Sequence, residues 1–273
     1  MAYRGCYFND MGCTAGVDLG RWEDAEQVIG SGGQKSVFLV ENSKTGEQGA
    51  LVPCGSLLEF RAMITASQTG IGPCVFHAAV CGIDPQLPPL MEGACAFHKH
   101  VIVEYCPKGD LTVSRPAPED MATCLELYWR MAALGFYQND LKLSNVLRSE
   151  HGGLYLTDYG CAGDKMMDGG GTLDGHMRNR AITLMDGFFG CADMMGGDPE
   201  RPEWVDQMDP DDKYELVLRC YQETVRWFWE NDLNHHGIID RHALAYSLDG
   251  DFGDGSADAH RWYNRIMTEY TWV

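Results

Sequence analysis

The sequence predicts an α+β fold, with a β-rich N-terminal part and a compact, mostly α-helical C-terminal part. Three observations lead there. Between residues 27 and 54, β-branched and aromatic runs alternate with glycine-bearing turns (QVIGSGG, SVFLV, NSKTGEQG, ALVPC). In the second half, apolar residues recur at helical spacing over 119–136 and again over 211–231. Between these halves, PKGDLTVSRPAPED is a polar, proline-bearing connection. It sets the expected boundary, with one domain over 1–106 and a second over 107–273.

Taken in order, three strands over 27–54 are followed by a helix around 56–68 (SLLEFRAMITASQ) and a turn at GIGP. CVFHAAVCG and HVIVEYC read as two further strands, which makes a sheet of about five with one helix. In the 119–136 helix, Met121, Leu125, Tyr128, Met131 and Ala132 fall near one face. Two short strands are expected at NVLR and LYLTD, split by the turn SEHGG. The stretch 161–200 is glycine- and methionine-rich and yields no assignment. Over 211–231, Tyr214, Val217, Leu218, Tyr221, Val225 and Phe228 mark one face of an amphipathic helix. A last helix is expected near 257–270.

Composition narrows the function. The 273 residues carry 21 Lys+Arg against 40 Asp+Glu, a net charge of -19. Such a surface repels phosphate backbones and anionic membranes, so neither nucleic acid nor membrane is the expected partner. A basic protein substrate would suit it. Eleven cysteines, an odd number with no CxxC pair, fit a reducing, intracellular and cytoplasmic setting. The start MAYRGCYFNDMGC has neither the basic nor the apolar region of a signal peptide, and no apolar run is long enough to span a bilayer. A soluble protein is expected.

The most specific chemistry lies in YQNDLKLSNVL (137–147) and LTDYG (156–160). Asn145 follows Asp140 by five residues and Asp158 follows it by eighteen. This pairing resembles the catalytic loop D-L-K-x-x-N and the metal-binding D-F-G of the protein-kinase superfamily, of the eukaryotic-like Ser/Thr type, with tyrosine in place of phenylalanine. The resemblance implies a two-lobed kinase-like fold with a divergent C-terminal lobe, and ATP with Mg²⁺ or Mn²⁺ as cofactors. It implies that Asp140 orients the acceptor hydroxyl and takes its proton, and that Lys142 contacts the γ-phosphate. Asn145 and Asp158 would hold the metal ions.

Two further segments extend the resemblance. IGSGGQKSVFLV (29–40) is similar to the glycine-rich loop over ATP phosphates, with Gly30 and Gly32 at its first two glycine positions and Val37 covering the adenine. VIVEYCPKGDL (101–111) is similar to the hinge: Val103 behind the adenine, the backbone of Glu104 and Cys106 bonding it, and Asp110 near the ribose.

The chain also departs from the pattern. The third-strand lysine is replaced by Val52 in Ala50-Leu51-Val52. Lys35 stands instead where the loop's third glycine belongs, which resembles the with-no-lysine kinases, whose lysine comes from the second strand. Glu59 is its expected carboxylate partner. The usual His-Arg before the catalytic aspartate is Gln138-Asn139, which implies activity independent of loop phosphorylation. No A-P-E segment is present.

The expected function is therefore an intracellular Ser/Thr-type protein kinase. Two alternatives stay open: a small-molecule or sugar kinase, and an inactive pseudokinase scaffold. The compactness would suit an effector delivered into a host cell. LDGDFGDGSADAH (248–260) fails the spacing of a calcium loop, and His235, His236 and His242 lack a completing ligand. Trp227, Phe228 and Trp229 cannot all face one way on a helix.

Overall fold

A computed structural model describes residues 22–31, 35–82, 97–163 and 207–233, together with His176, Met177, Arg180, Ala181 and Leu184. The described residues combine an antiparallel sheet with helices, an α+β composition. The chain divides into two compact units, one of Met1–Pro107 with Thr157–Ala162, the other of Lys108–Leu156 with Gly163–Val273.

The first unit holds β1 (Trp22–Ser31), β2 (Ser36–Asn42), β3 (Gln48–Cys54), α1 (Leu57–Gln68), β4 (Val75–Gly82) and β5 (Phe97–Glu104). The five strands form one sheet in the order β1-β2-β3-β5-β4, every pair antiparallel. The β2–β3 turn is set by Asn42, whose Oδ1 accepts the Lys44 N–H at 3.1 Å, and by Gly46 at φ 70°. Pro53 is tolerated in β3 because pairing with β2 ends at Leu51, before its missing N–H matters on that side.

Side chains alternate across the sheet, which separates two apolar faces. On one, Trp22, Val40, Leu51 and Ile102 form a buried cluster with Phe38 and Phe76 against it, and Trp22 stacks on Phe76 at 5.4 Å. On the other, Leu39 pairs with Ala50 and Ala50 with Val103, while Val52 pairs with Val101. The first cluster closes over Gly49. A Cβ there would lie 2.7 Å from Ile102 Cγ2 and 3.0 Å from Trp22 Cζ3. Gly49→Ala is therefore expected to cost about 1–3 kcal/mol, read as a lower denaturant midpoint.

β1 starts five residues before the expected 27 because WEDAE is too polar to read as a strand, and Trp22's buried packing holds it there. In α1, Ser56 caps the first turn, its Oγ accepting the Glu59 N–H at 3.0 Å. Gly70 at φ 67° ends the run.

The second unit holds α2 (Pro118–Ala133), a hairpin of β6 (Val146–Arg148) and β7 (Leu154–Leu156), and α3 (Pro210–Glu230). All five residues expected on the α2 face are buried. The helix stops at Ala133 rather than 136 because Gly135 takes φ 84°. Asp120 ties α2 to the hairpin: its Oδ2 accepts from the Ala117 N–H at 2.7 Å and from Arg148 Nη2 at 2.6 Å. In α3, Leu216, Cys220, Thr224, Trp227 and Phe228 are buried, and Leu218 is half-buried. Trp227 meets Trp129 of α2 edge-on at 5.7 Å, whereas Trp229 is exposed, so the neighbouring tryptophans do face different ways. The expected helix at 257–270, the acidic turn 248–260 and His235, His236 and His242 lie outside the described residues. Among the described residues, no helix is long and apolar enough to cross a membrane.

Candidate functional site

In the first unit, Lys35 stands just before β2 and Glu59 in the first turn of α1. The two side chains are ion-paired and hydrogen-bonded. Lys35 Nζ also lies 2.9 Å from Oδ1 of Asp158. Glu59 is buried to 2 % exposure, a costly position for a carboxylate unless both oxygens are met. One oxygen is held by Lys35 and the other accepts the Gly55 N–H at 2.7 Å. The sequence S-x-x-E at 56–59 explains this: serine caps the helix while glutamate turns back toward its start. Ser56→Ala is expected to cost about 1 kcal/mol by thermal or denaturant unfolding.

Burial by itself would lower the pKa of Lys35, but Glu59 first and Asp158 second outweigh it, so the amine titrates above its ordinary 10.5. The folded state thus favours the protonated amine. Its contribution to stability is complete below the unfolded value of 10.5 and is lost as the pH rises through the folded value. The expected result is that, on the alkaline side, wild type loses its stability advantage over Lys35→Met as the pH rises above about 10.5, in denaturant midpoints followed against pH.

Asp158 adopts φ 51°, the left-handed region, which swings its carboxylate back onto the Gly160 N–H at 3.3 Å and onto Lys35. Gly160 leaves room for this arrangement, since a Cβ there would sit 3.3 Å from Asp158 Oδ1 and 3.9 Å from Lys35 Nζ. Tyr159, in the phenylalanine position of the motif, is fully buried, and burial raises its phenol pKa. The turn Tyr159–Cys161 packs against α1, which is why Thr157–Ala162 belongs to the first unit and not, as the sequence boundary had it, to the second.

Val52 is buried at 7 % exposure, alternating onto the same face as Ala50 and Cys54. Cys54 on that face lies within electrostatic reach of Glu59 and Lys35; its thiol is pushed up to about 12, chiefly by burial. Gly30 pairs with Val37 across β1 and β2, and Val103 is buried in β5. Gly32 lies outside the described residues. Glu104 donates its N–H to the Cys74 carbonyl at 2.8 Å. The Cys106 thiol is raised to about 12 by burial, then by Glu104, which makes it a poor nucleophile.

In the second unit the loop after Tyr137–Gln138 gathers Asp140, Lys142 and Asn145. Leu141 and Leu143 are buried on either side of Lys142 and pin the loop, leaving the Lys142 side chain half-exposed between them while Asn145 is buried. Lys142 Nζ is 2.9 Å from Asp140 Oδ2. The Asn145 amide donates to the Asp140 carbonyl at 2.6 Å and to its Oδ2 at 3.1 Å. Asp110, expected near a ribose, accepts the Thr112 N–H at 2.7 Å in a tight local turn. Its backbone bridges Leu147.

No protein-family model matches this chain, and no curated protein matches it. The geometry itself therefore carries the reading. It brings Lys35, Glu59 and Asp158 together in one unit and Asp140, Lys142 and Asn145 in the other. Sequence reasoning missed Gly55, Ser56 and Gly160 as supports, and the Lys35–Asp158 ion pair. The S-x-x-E box is a signal that could have found Ser56.

Proposed function

We propose that this chain is an ATP-dependent phosphotransferase with a two-lobed, protein-kinase-like fold, acting on serine or threonine hydroxyls of proteins. The observation that carries the reading is the ion pair between Lys35 and the buried Glu59, with Asp158 on the same amine. An ammonium fixed by a buried carboxylate is a preorganised anion grip, which is what a nucleotide phosphate requires. Lys35 thus takes the place left by Val52.

Asp140 supplies the carboxylate that orients an acceptor hydroxyl and receives its proton, with Lys142 beside it as a mobile cation for the transferred phosphoryl group. Asn145 and Asp158 are the residues that would hold a magnesium or manganese ion. Asn145 commits its amide hydrogens to Asp140, which leaves the carbonyl oxygen as its donor, and Asp158 offers a half-exposed carboxylate. These are the hard oxygens such ions take. When bound, the ion neutralises phosphate charge. Val37, Val103 and the backbone of Glu104 and Cys106 would receive the adenine, and Gly30 and Gly32 would serve its phosphates. The net charge of -19 favours a basic protein acceptor, and the eleven cysteines a reducing cellular compartment.

The test is transfer from γ-labelled ATP, with Mg²⁺ or Mn²⁺, to basic serine- and threonine-containing peptides, sugars and aminoglycosides, alongside Asp140→Ala. Label on peptides from wild type alone supports the proposal. Label on the small acceptors would replace it with a metabolite kinase. Equal background from both proteins would leave a pseudokinase scaffold.

A further inference from the structure

Asn139 occupies the position where kinases of this type carry an arginine, yet an arginine does reach this loop. Arg180 Nη1 donates to the Asn139 backbone carbonyl at 3.1 Å, across 41 residues of chain. His176, Met177, Arg180, Ala181 and Leu184 are all helical and buried, at the spacing of one helix face. One turn before Arg180, His176 is fully buried, hydrogen-bonds the Tyr128 hydroxyl through Nε2, and meets Tyr137 edge-on at 5.6 Å. Successive turns thus brace Tyr137 and Asn139, the two ends of the short segment that leads into Asp140.

We propose that Arg180 is a positioning residue for Asp140, clamping the catalytic loop from the downstream segment through Asn139. The inference rests on the phosphotransferase reading for its functional consequence. A guanidinium hydrogen bond to a carbonyl is charge-assisted, and at 8 % exposure the Arg180 donor is shielded from competing water. In the usual arrangement an arginine on the loop reaches out to a phosphate on the downstream segment. Here the arginine belongs to the downstream segment and grips the loop backbone. The clamp needs no phosphate.

The test compares Arg180→Met, which keeps length but loses every donor, with Arg180→Lys, which restores one. Hydrogen exchange of residues 137–145 in the intact chain is read first. Faster exchange there in Arg180→Met, with α2 unchanged and Arg180→Lys close to wild type, supports the clamp; unchanged exchange overturns it. In the transfer assay, Arg180→Met is expected to lower kcat by about tenfold to a hundredfold with KM for ATP unchanged, because misplacing Asp140 slows the chemical step without removing nucleotide contacts. Full kcat in Arg180→Met overturns the positioning role. Wild type without transfer would defeat the phosphotransferase reading alone, while exchange would still decide whether Arg180 holds the loop. Phosphatase treatment is expected to leave wild-type activity unchanged, and its loss would overturn phosphate independence.

Discussion

Lys35→Met is expected to lower stability by about 3 kcal/mol, because it strands the Glu59 carboxylate in a buried site where, among the described residues, the Gly55 N–H is the partner left to it. The same change removes the proposed anion grip, so transfer should fall by about a hundredfold or more. The two effects separate with a second substitution. Glu59→Gln in the Lys35→Met background keeps an oxygen for the Gly55 N–H and needs no cation. Denaturant midpoints should return most of the way to wild type, whereas transfer should stay at the level of the single variant. If stability is not recovered, the penalty does not come from a stranded charge.

Asp158→Asn is the second large effect, with the opposite balance. Asparagine tolerates the left-handed backbone at least as well as aspartate, and its side-chain oxygen can still accept the Gly160 N–H. Asp158 is also 41 % exposed, so losing its charge costs the fold little. Its carboxylate is nonetheless the one negatively charged ligand proposed for the metal. Transfer is expected to drop about a hundredfold or more, with partial recovery at high Mn²⁺ and unfolding midpoints near wild type. A variant that folds normally and transfers normally would remove Asp158 from the metal site.

The legible part of this protein was local. D-L-K-x-x-N holds its three polar residues within six positions, anchored by the buried Leu141 and Leu143, so the spacing alone places Asp140, Lys142 and Asn145 together. Strands rich in valine and leucine and the α2 face were readable for the same reason. Lys35 and Glu59, 24 residues apart, were paired by asking which lysine could replace the one missing at Val52. What escaped depended on backbone turns and distant packing. The Lys35–Asp158 contact exists because residue 158 adopts a positive φ, which no composition signal announces. The start of β1 is fixed by Trp22 stacking on Phe76, far along the chain, and not by its polar neighbours. Arg180 reaches a main-chain carbonyl, an acceptor every residue offers, so its partner could not be read from side-chain types.

The central claim is that Lys35 is the working lysine of a phosphotransferase. It is tested most directly by the transfer rate from γ-labelled ATP in the Lys35→Met, Glu59→Gln double variant, whose stability should return most of the way to wild type. At saturating Mg²⁺-ATP the account predicts transfer about a hundredfold or more below wild type. A double variant that transfers label as fast as a catalytically active wild type would contradict it.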